Sequence, residues 1–252
     1  MKENKRNILF LILGSFFIAN AIIAEFIGVK IFSFEKTLGI AELNWSIFGN
    51  TLSWNLTAGV LLWPIVFIMT DIINEYFGHH GVKLFSYIAA GLVAYAFAAV
   101  YFAIKLTPAD FWIMKETSLG TVNMQAAFNA IFGQGLWIII GSLVAFLVGQ
   151  VVDVWVFHFV KKRTGEKYLW LRSTGSTLVS QLIDSFVVLF IAFYIGAGWD
   201  IKLVLGIGVV NYIYKFIVAI ALTPLLYLVH KIIDNFLGKE LAQQMMEEAA
   251  KE

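Results

Sequence analysis

Long apolar runs separated by short polar segments dominate the chain, and their length is typical of membrane-spanning helices. About 20 residues at 1.5 Å per residue cross the ~30 Å hydrocarbon core of a bilayer. The pattern predicts six transmembrane helices, near residues 8–29, 53–75, 82–104, 136–160, 177–197 and 203–229. We therefore expect an all-α, polytopic membrane protein with its six helices in one bundle, and a single transmembrane domain over residues 1–252.

The fifth run carries a carboxylate inside an otherwise apolar stretch. With 3.6 residues per turn, Thr177, Gln181, Asp184 and Ser185 share one polar face of the predicted helix. Asp184 lies seven residues past Thr177, which makes it roughly 10 Å deep at 1.5 Å per residue. A charged carboxylate at that depth costs at least ~2.5 kcal/mol. We therefore interpret this face as part of a functional site that faces the protein interior.

The second run ends in three polar residues that share a face. Asp71, Asn74 and Glu75 stand at positions i, i+3 and i+4, so a helix brings them together. The apolar part of this run is short for a full span. Either the helix continues through its polar end, or it breaks near Pro64. In both cases the two carboxylates are candidates for an interior site.

The fourth run combines a helix-packing pattern with an acidic residue. Gly141, Ala145 and Gly149 recur at four-residue steps, a spacing that lets another helix pack closely. Asp153 extends the row by one more step, so the packing groove ends in an acid. Two interpretations stay open: Asp153 is a buried functional acid, or its side chain snorkels to the cytoplasmic boundary.

The sixth run contains a lysine near its middle and also carries Asn211. Lys215 lies about twelve residues into the run, too deep for its side chain to reach either surface easily. An unpaired ammonium there is implausible, so Lys215 is expected to be neutral or to face a carboxylate. Four carboxylates are candidates for that partner: Asp184, Asp71, Glu75 and Asp153.

The first run carries a further acid near its far end. Its charged start, residues 1–6, is typical of a signal peptide, but the apolar stretch continues long enough to span, so we expect an uncleaved helix. Glu25 and Lys30 stand near the end of this helix. They form either an interfacial ion pair or part of the site lining, and we favour the interface.

Composition and charge support membrane insertion and predict its orientation. Hydrophobic residues make up 60% of the chain and charged residues 14%, against ~45–50% and ~25% in soluble domains. Lys and Arg cluster before the first run, between the fourth and fifth, and after the sixth, so the positive-inside rule predicts that both termini are cytoplasmic. The tail from residue 232 predicts a helix at the membrane surface. The absence of cysteine excludes disulfides and thiol chemistry.

Several enzyme classes lack their signature residues in this chain. It has no P-loop, no H-E-x-x-H and no G-x-S-x-G motif. Two facing aspartates could in principle serve an intramembrane protease, but the flanking residues do not support one. The adjacent His79 and His80 point ~100° apart on a helix, which disfavours a metal site. The pattern favours recognition of a small polar solute inside a secondary transporter, without a cofactor or a metal.

Five segments carry a resemblance to a known family: TDIINEYFG (70–78), GQVVDVWVF (149–157), WLRSTGSTLVSQLIDS (170–185), IAF (191–193) and NYIYKFIVAIALTP (211–224). In the same order and at natural spacing, they resemble the queuosine precursor transporter family, also called the vitamin uptake transporter family. The similarity covers the chain from the second run onward. The first run and residues 31–55 match only loosely.

The resemblance implies a bacterial inner-membrane importer for a 7-deazaguanine such as preQ0 or preQ1, with another vitamin-like compound as the alternative. The protein either works alone, with proton coupling through Asp71, Asp153 or Asp184 left open, or is a binding subunit of an ATP-driven complex. Related binding subunits pack small residues of the first helix against their coupling subunit. The small residues here form no four-residue row, which favours a solitary transporter: Ala19, Ala21 and Ala24.

A guanine-like ligand suits the polar residues of the predicted bundle. Its N–H and exocyclic NH2 can donate to one carboxylate, its O6 accepts from an amide or ammonium, and its ring stacks on an aromatic side chain. We expect Asp184 or Glu75 to hold the donor edge, and Gln181, Asn74 or Lys215 to donate to O6. The expected partners are this solute and the lipid bilayer, with no nucleic acid, and the sequence leaves a homodimer open. The full candidate binding set is Asp71, Asn74, Glu75, Asp153, Arg172, Gln181, Asp184, Asn211 and Lys215.

Overall fold

The chain folds into long helices joined by short strands and turns. The computed structural model describes residues 2–118, 120–133, 135–164 and 168–250. A 3₁₀ helix (Ala58–Leu61) lies between the second and third α-helices, and a π-helix (Phe190–Ile195) continues the seventh. The α-helices are α1 (Lys2–Ile27), α2 (Phe34–Thr37), α3 (Trp63–Lys105), α4 (Asp110–Ile113), α5 (Met124–Phe132), α6 (Leu136–Thr164), α7 (Leu169–Leu189), α8 (Ile201–Leu237) and α9 (Lys239–Ala249).

Five helical stretches of the described residues are long and apolar enough to cross a membrane: Lys2–Ile27, Trp63–Lys105, Met124–Thr164, Trp170–Ile195 and Ile201–Leu237. Large apolar side chains cover their outer faces, as contact with lipid requires. The chain is therefore a mostly helical, multi-pass membrane protein. Where the apolar pattern predicts two spans, near 53–75 and 82–104, the structure has the single 43-residue helix α3.

Helix α3 is interrupted at Gly78, where the backbone leaves the helical region with φ 69° and ψ −175°. Phe10, near the start of α1, contacts the residues on both sides of this break. Its ring centroid lies 4.9 Å from that of Phe77 and 4.5 Å from that of Phe85. The start of α1 therefore lies next to the interruption in α3.

The far end of α1 contacts segments from both sides of the break as well. Gly28 lies against Gly59, since a Cβ atom built on Gly59 would stand 3.4 Å from the Gly28 Cα. The rings of Phe26 and Phe97 are 5.5 Å apart. Both arms of α3, residues 63–77 and 79–105, therefore run along α1, and the chain reverses its direction between them.

Gly78 is the residue that this reversal requires. A backbone with φ near +69° and ψ near 180° is open almost only to glycine, and another residue there costs of order 1–3 kcal/mol. We expect Gly78→Ala to lower the free energy of unfolding by that amount. Gly91→Ala is the control, because Gly91 is helical and has open space around its Cα. Thermal unfolding in detergent measures both, and equal melting temperatures would contradict the geometry of the reversal.

Short antiparallel strands, absent from the sequence prediction, connect the helices. β1 (Ile31–Ser33) pairs with β4 (Asn55–Thr57), β2 (Trp45–Ile47) with β3 (Asn50–Leu52), and β5 (Met114–Thr117) with β6 (Gly120–Asn123). The ladder between β1 and β4 holds residues that the apolar pattern assigns to the second span. Helix α3 begins at Trp63, with a proline in its first turn, and not near residue 53.

The C-terminal helix packs against the end of the bundle that holds the N-terminus. Leu241 and Met245 of α9 are buried in the main apolar core. Exposed ion pairs also join the two ends of the chain, from Lys2 to Glu240 (2.9 Å) and from Arg6 to Glu248 (3.1 Å). The tail is thus a packed part of the bundle rather than a separate surface helix, and both termini lie at one end.

Candidate functional site

A cavity of about 440 Å³ lies among α1, α6, α7 and α8, and we call it the outer cavity. It extends from the interior to the segments that follow α1 and precede α3, at the end of the bundle away from the termini. Its volume lies within the ~300–1,000 Å³ typical of small-molecule sites. The polar side chains that line it are Glu25, Thr57, Ser142, Asp184, Ser185, Asn211 and Lys215.

Close packing of α6 on α7 determines where Asp184 lies. A Cβ atom on Gly141 would stand 3.0 Å from the Val188 backbone oxygen, and one on Gly149 would stand 3.7 Å from the Asp184 Cβ. The row of small residues in α6, predicted from its four-residue spacing, thus contacts α7 directly. It brings the polar face of α7 against the interior of the bundle.

Asp184 and Lys215 form a buried ion pair in the outer cavity. The Lys215 Nζ lies 2.5 Å from the Asp184 Oδ2, and the side chains are 6% and 10% exposed. Of the four carboxylates that the sequence left open as partners of Lys215, the structure selects Asp184. The pair is charge-assisted and enclosed by apolar helices, so each group compensates the burial of the other.

Glu25 of α1 lines the same cavity, and the favoured interfacial interpretation of this residue was wrong. Its side chain is buried and accepts a hydrogen bond from the hydroxyl of Ser142 on α6, while Lys30 lies exposed. Ser185 also faces this cavity, and its hydroxyl is buried with no partner among the described residues. The outer cavity therefore holds two carboxylates, one ammonium and several hydroxyls.

Two aromatic side chains complete the cavity lining. Trp63 begins α3, and its ring lies 5.6 Å from that of Phe146. Phe193 belongs to the π-helix that continues α7, and its ring packs on Trp199 with centroids 4.5 Å apart. A π-helical turn is rare and often marks a functional site, and here it directs Phe193 to the cavity. Either ring could stack on a flat ligand.

Asp71 and Asp153 lie in a second group of buried side chains, which we call the hydroxyl layer. Ser173 and Thr177 of α7 donate to Asp71, the latter at 3.1 Å, and Ser180 donates to Asp153 at 2.9 Å. The two carboxyl groups are close enough to influence each other electrostatically. No ion pair joins either carboxylate to a basic side chain in the described part of the chain. Asp153 is fully buried, so the snorkelling alternative was wrong.

Glu75 is the centre of a third group, the inner ion cluster, near the end that holds the termini. Arg172 of α7 donates to the Glu75 Oε1 at 2.6 Å, and the Lys161 Nζ lies 3.4 Å from the Glu75 Oε2. All three side chains are nearly fully buried. Asn74, on the same face of α3, accepts a hydrogen bond from the His158 Nε2 at 2.9 Å. This cluster fills the bundle on the terminal side of the hydroxyl layer.

The candidate binding residues therefore divide among these groups. Asp184, Asn211 and Lys215 line the outer cavity. Asp71 and Asp153 lie in the hydroxyl layer, while Asn74, Glu75 and Arg172 lie at the inner ion cluster. Gln181 is buried, and neither its amide oxygen nor its amide nitrogen has a hydrogen-bond partner within the described part of the chain; it borders a separate void of about 10 Å³ beside Asp71.

A larger cavity of about 700 Å³ lies between α3 and α6 and holds none of the candidate residues. Its accessible surface is mostly apolar, although His79, Ser86, Gln150 and His158 also line it, and none of its described lining residues is a carboxylate that could accept from the donor edge of a guanine-like ring. Within residues 2–118, 120–133, 135–164 and 168–250, no group of three or more His, Asp or Glu residues is arranged to hold a metal ion. The outer cavity is therefore the best candidate for a solute site.

Comparisons with known proteins agree with a transport role. The profile of a family described as "Putative vitamin uptake transporter" matches residues 57–229. A "Probable queuosine precursor transporter" of Bacillus subtilis (strain 168) is 30% identical over 187 residues, 71% of this chain and 73% of that protein. A protein of the same name from Haemophilus influenzae is 27% identical over 236 residues, 88% of this chain and 85% of the relative. The "Queuosine precursor transporter" of Escherichia coli (strain K12) is 25% identical over 214 residues, which is 81% of this chain and 83% of that protein. No solved structure matches the chain.

The matched region contains the Asp184–Lys215 pair, both aspartates of the hydroxyl layer and the inner ion cluster. The names of the family and of the relatives describe transporters, so the chain is a non-enzymatic membrane transporter with a small-molecule substrate. With a profile that matches residues 57–229 and a 30% identical relative of which it covers 73%, the chain belongs to the family of vitamin uptake and queuosine precursor transporters.

Proposed function

We propose that this protein imports a queuosine precursor, a 7-deazaguanine such as preQ0 or preQ1, across the bacterial inner membrane. The observation that carries the proposal is the outer cavity, which combines the buried Asp184–Lys215 pair with aromatic walls. The curated relatives are named for transport of queuosine precursors. A transporter of such a solute requires an enclosed polar site inside the bundle, and the outer cavity meets that requirement.

Each part of a deazaguanine has a matching group in this cavity. Asp184 accepts from the ring N–H and the exocyclic amine, while Lys215 or Asn211 donates to O6. The ring stacks on Phe193 or Trp63, a contact that contributes about 1–3 kcal/mol. Asn74, Glu75 and Gln181 lie outside the outer cavity and are not part of this proposed binding site.

The proposed topology has six membrane crossings, with both termini in the cytoplasm. The reversal at Gly78 supports two crossings within α3, one in each arm. Basic residues support the orientation, because Lys161, Lys162 and Arg163 end α6 on the side that holds both termini. The outer cavity then faces the periplasmic side, from which an imported solute arrives.

Burial of small residues in α1 supports a solitary transporter over a subunit of an ATP-driven complex. Ala21 and Ala24 are buried inside the bundle, and the Ala24 carbonyl packs against Gly59. Ala21 and Ala24 therefore have no surface to offer to a coupling subunit, and of the three small residues only Ala19 is exposed. Uptake by the purified protein in liposomes supports this mechanism, whereas co-purification with ATPase subunits overturns it.

The hydroxyl layer is proposed to couple import to protons. Asp71 and Asp153 lie close together without a basic partner among the described residues, and two buried carboxylates share a proton more readily than they both ionise. We expect Asp153→Asn to reduce uptake driven by a proton gradient at least tenfold. The affinity of this variant for the precursor, measured in detergent, is expected to stay within about twofold of the wild-type affinity, because Asp153 does not line the outer cavity. Gradient-driven uptake at the wild-type rate in this variant would remove the coupling role.

Restoration of tRNA queuosine tests the proposed function itself. A strain that needs an external precursor and lacks its own transporter receives this gene, and preQ0, preQ1 or queuine is supplied at limiting concentration. We expect queuosine in tRNA to appear with a 7-deazaguanine and not with the empty vector. The result that overturns the proposal is absence of queuosine with every precursor, although the protein is present in the membrane.

A further inference from the structure

We propose that the cavity of about 700 Å³ between α3 and α6, which we call the lateral groove, binds an anionic phospholipid. Lys83 and Lys162 hold the lipid phosphate, and the apolar wall of the groove holds an acyl chain. No residue that lines the lateral groove also lines the outer cavity. The lipid is thus a second ligand of the protein, and its site is independent of the transported solute.

The lateral groove carries basic side chains without an acidic one. Lys83 of α3 and Lys162 of α6 line it, and no Asp or Glu is among its described lining residues. Both lysines are exposed, and neither forms an ion pair with an acidic side chain in the described part of the chain. The other polar side chains of the lining are His79, Ser86, Gln150 and His158. An anionic group such as a phosphate therefore complements the charge of this groove.

Both lysines lie at the end of the bundle that holds the termini, which is the level expected for the headgroups of one leaflet. Lys162 belongs to the last turn of α6. Lys83 follows the reversal at Gly78 in α3, and that reversal lies next to the start of α1. Basic pockets between helices at this level are typical binding sites for anionic lipid headgroups. In the proposed topology this end faces the cytoplasm, whose leaflet supplies such lipids.

Away from the lysines, the lateral groove has an apolar wall long enough for an acyl chain. Val151 and Trp155 of α6 line it and are exposed on the outer face of the bundle, so the groove opens toward lipid. Val151 precedes Lys162 by eleven residues, about 16 Å along α6, which is close to the ~15 Å thickness of half the hydrocarbon core. Trp155 stacks on Phe159 with ring centroids 5.8 Å apart, which adds a flat apolar surface. A soluble phosphate uses only the basic end, whereas a phospholipid contacts both parts of the groove.

Binding of three compounds to the purified wild-type protein in detergent tests the proposal without a mutation, by native mass spectrometry and thermal shift. Phosphatidylglycerol and phosphatidylcholine with the same acyl chains differ in headgroup charge, and glycerol 3-phosphate has the phosphate without the chains. We expect phosphatidylglycerol to bind roughly tenfold more tightly than phosphatidylcholine, and glycerol 3-phosphate to leave the melting temperature unchanged. Equal affinities for the two lipids would overturn the proposal. Equal stabilisation by glycerol 3-phosphate would also overturn it, since the ligand would then be a soluble phosphate.

Substitution of the two lysines then assigns the preference to the lateral groove. Lys83→Gln/Lys162→Gln is expected to reduce the affinity for phosphatidylglycerol roughly tenfold and to change that for phosphatidylcholine less than about twofold. The matched control is Lys231→Gln/Lys239→Gln, which removes the same charge from exposed positions at the same end, outside the groove. We expect the control to keep the wild-type preference, and both variants to keep the wild-type melting temperature without added lipid. An unchanged preference in the first variant, or an equal loss in the control, would show that this groove is not the lipid site.

Discussion

Cells that carry Asp184→Asn are expected to import no measurable precursor, even with a normal amount of protein in the membrane. Asp184 is the proposed acceptor for the donor edge of the solute, and it is also the partner of Lys215 at 2.5 Å. The substitution leaves that ammonium buried without its anion, and such a loss costs about 3–5 kcal/mol. We therefore expect a lower melting temperature and at least a 100-fold loss of uptake, measured with labelled preQ1 and normalised to protein by immunoblot.

Two further variants separate the folding effect from recognition. In the Asp184→Asn/Lys215→Met protein both charges are absent, so we expect most of the stability to return while uptake stays lost. Asp110→Asn makes the same chemical change at an exposed position and is expected to leave both properties unchanged. Uptake at the wild-type level in Asp184→Asn cells, at equal expression, would remove Asp184 from the substrate site.

The polar face of α7 could be predicted from the sequence because membrane insertion makes its residues costly. A carboxylate inside an apolar run needs a partner, and so does a lysine in the middle of another run. Those two requirements made Asp184 one of the candidate partners of Lys215, and the structure pairs them. The row of small residues in α6 likewise predicted close packing with another helix, and α7 provides that contact.

The division of the polar residues into separate groups could not be predicted. Helical periodicity gives the face of the helix on which a residue lies, but not its position along the bundle axis relative to residues on other helices. That position depends on where each helix begins, and α3 begins near residue 63 because β4 occupies the preceding residues. Asp71 and Glu75 share a face one turn apart, yet Asp71 contacts hydroxyls while Glu75 contacts two basic side chains.

Glu25 was misjudged for a related reason, and the burial of Lys161 was not predicted. Both stand near the predicted ends of spans, where a charged residue ordinarily reaches the interface. The structure buries Glu25 beside Ser142 and Lys161 beside Glu75. Only the positions of the neighbouring helices reveal these contacts, although the rule that intramembrane charges are usually functional could have pointed to Glu25.

The three groups together suggest how a solute is admitted from one side only. The outer cavity is open toward the segments that follow α1, whereas the inner ion cluster and α9 fill the bundle on the opposite side. In the proposed import mechanism, release of the solute on the terminal side requires the inner helices to separate, and the ion pairs of Glu75 resist that separation. The strength of the inner ion cluster therefore affects both the stability of the protein and its ability to open.

Glu75→Gln is expected to have the largest effect on stability of any single substitution considered for this chain. Glu75 is fully buried and holds Arg172 at 2.6 Å and Lys161 at 3.4 Å, so the change removes the carboxylate between two buried cations. Loss of one partner from a buried ion pair costs about 3–5 kcal/mol. We expect little folded protein in the membrane and a large drop in melting temperature, measured by fluorescence-detected size exclusion after heating.

The exposed ion pair at the ends of the chain supplies the matched control for this result. Glu240→Gln removes the same charge from an ion pair with Lys2. The side chains of Glu240 and Lys2 are 85% and 62% exposed, and exposed ion pairs contribute about 0–1 kcal/mol to stability. Its melting temperature is expected to stay close to that of the wild type. In the Glu75→Gln/Arg172→Gln protein one buried cation is removed as well, so part of the lost stability returns. If Glu75→Gln melts like Glu240→Gln, the inner ion cluster does not hold the terminal side of the bundle closed.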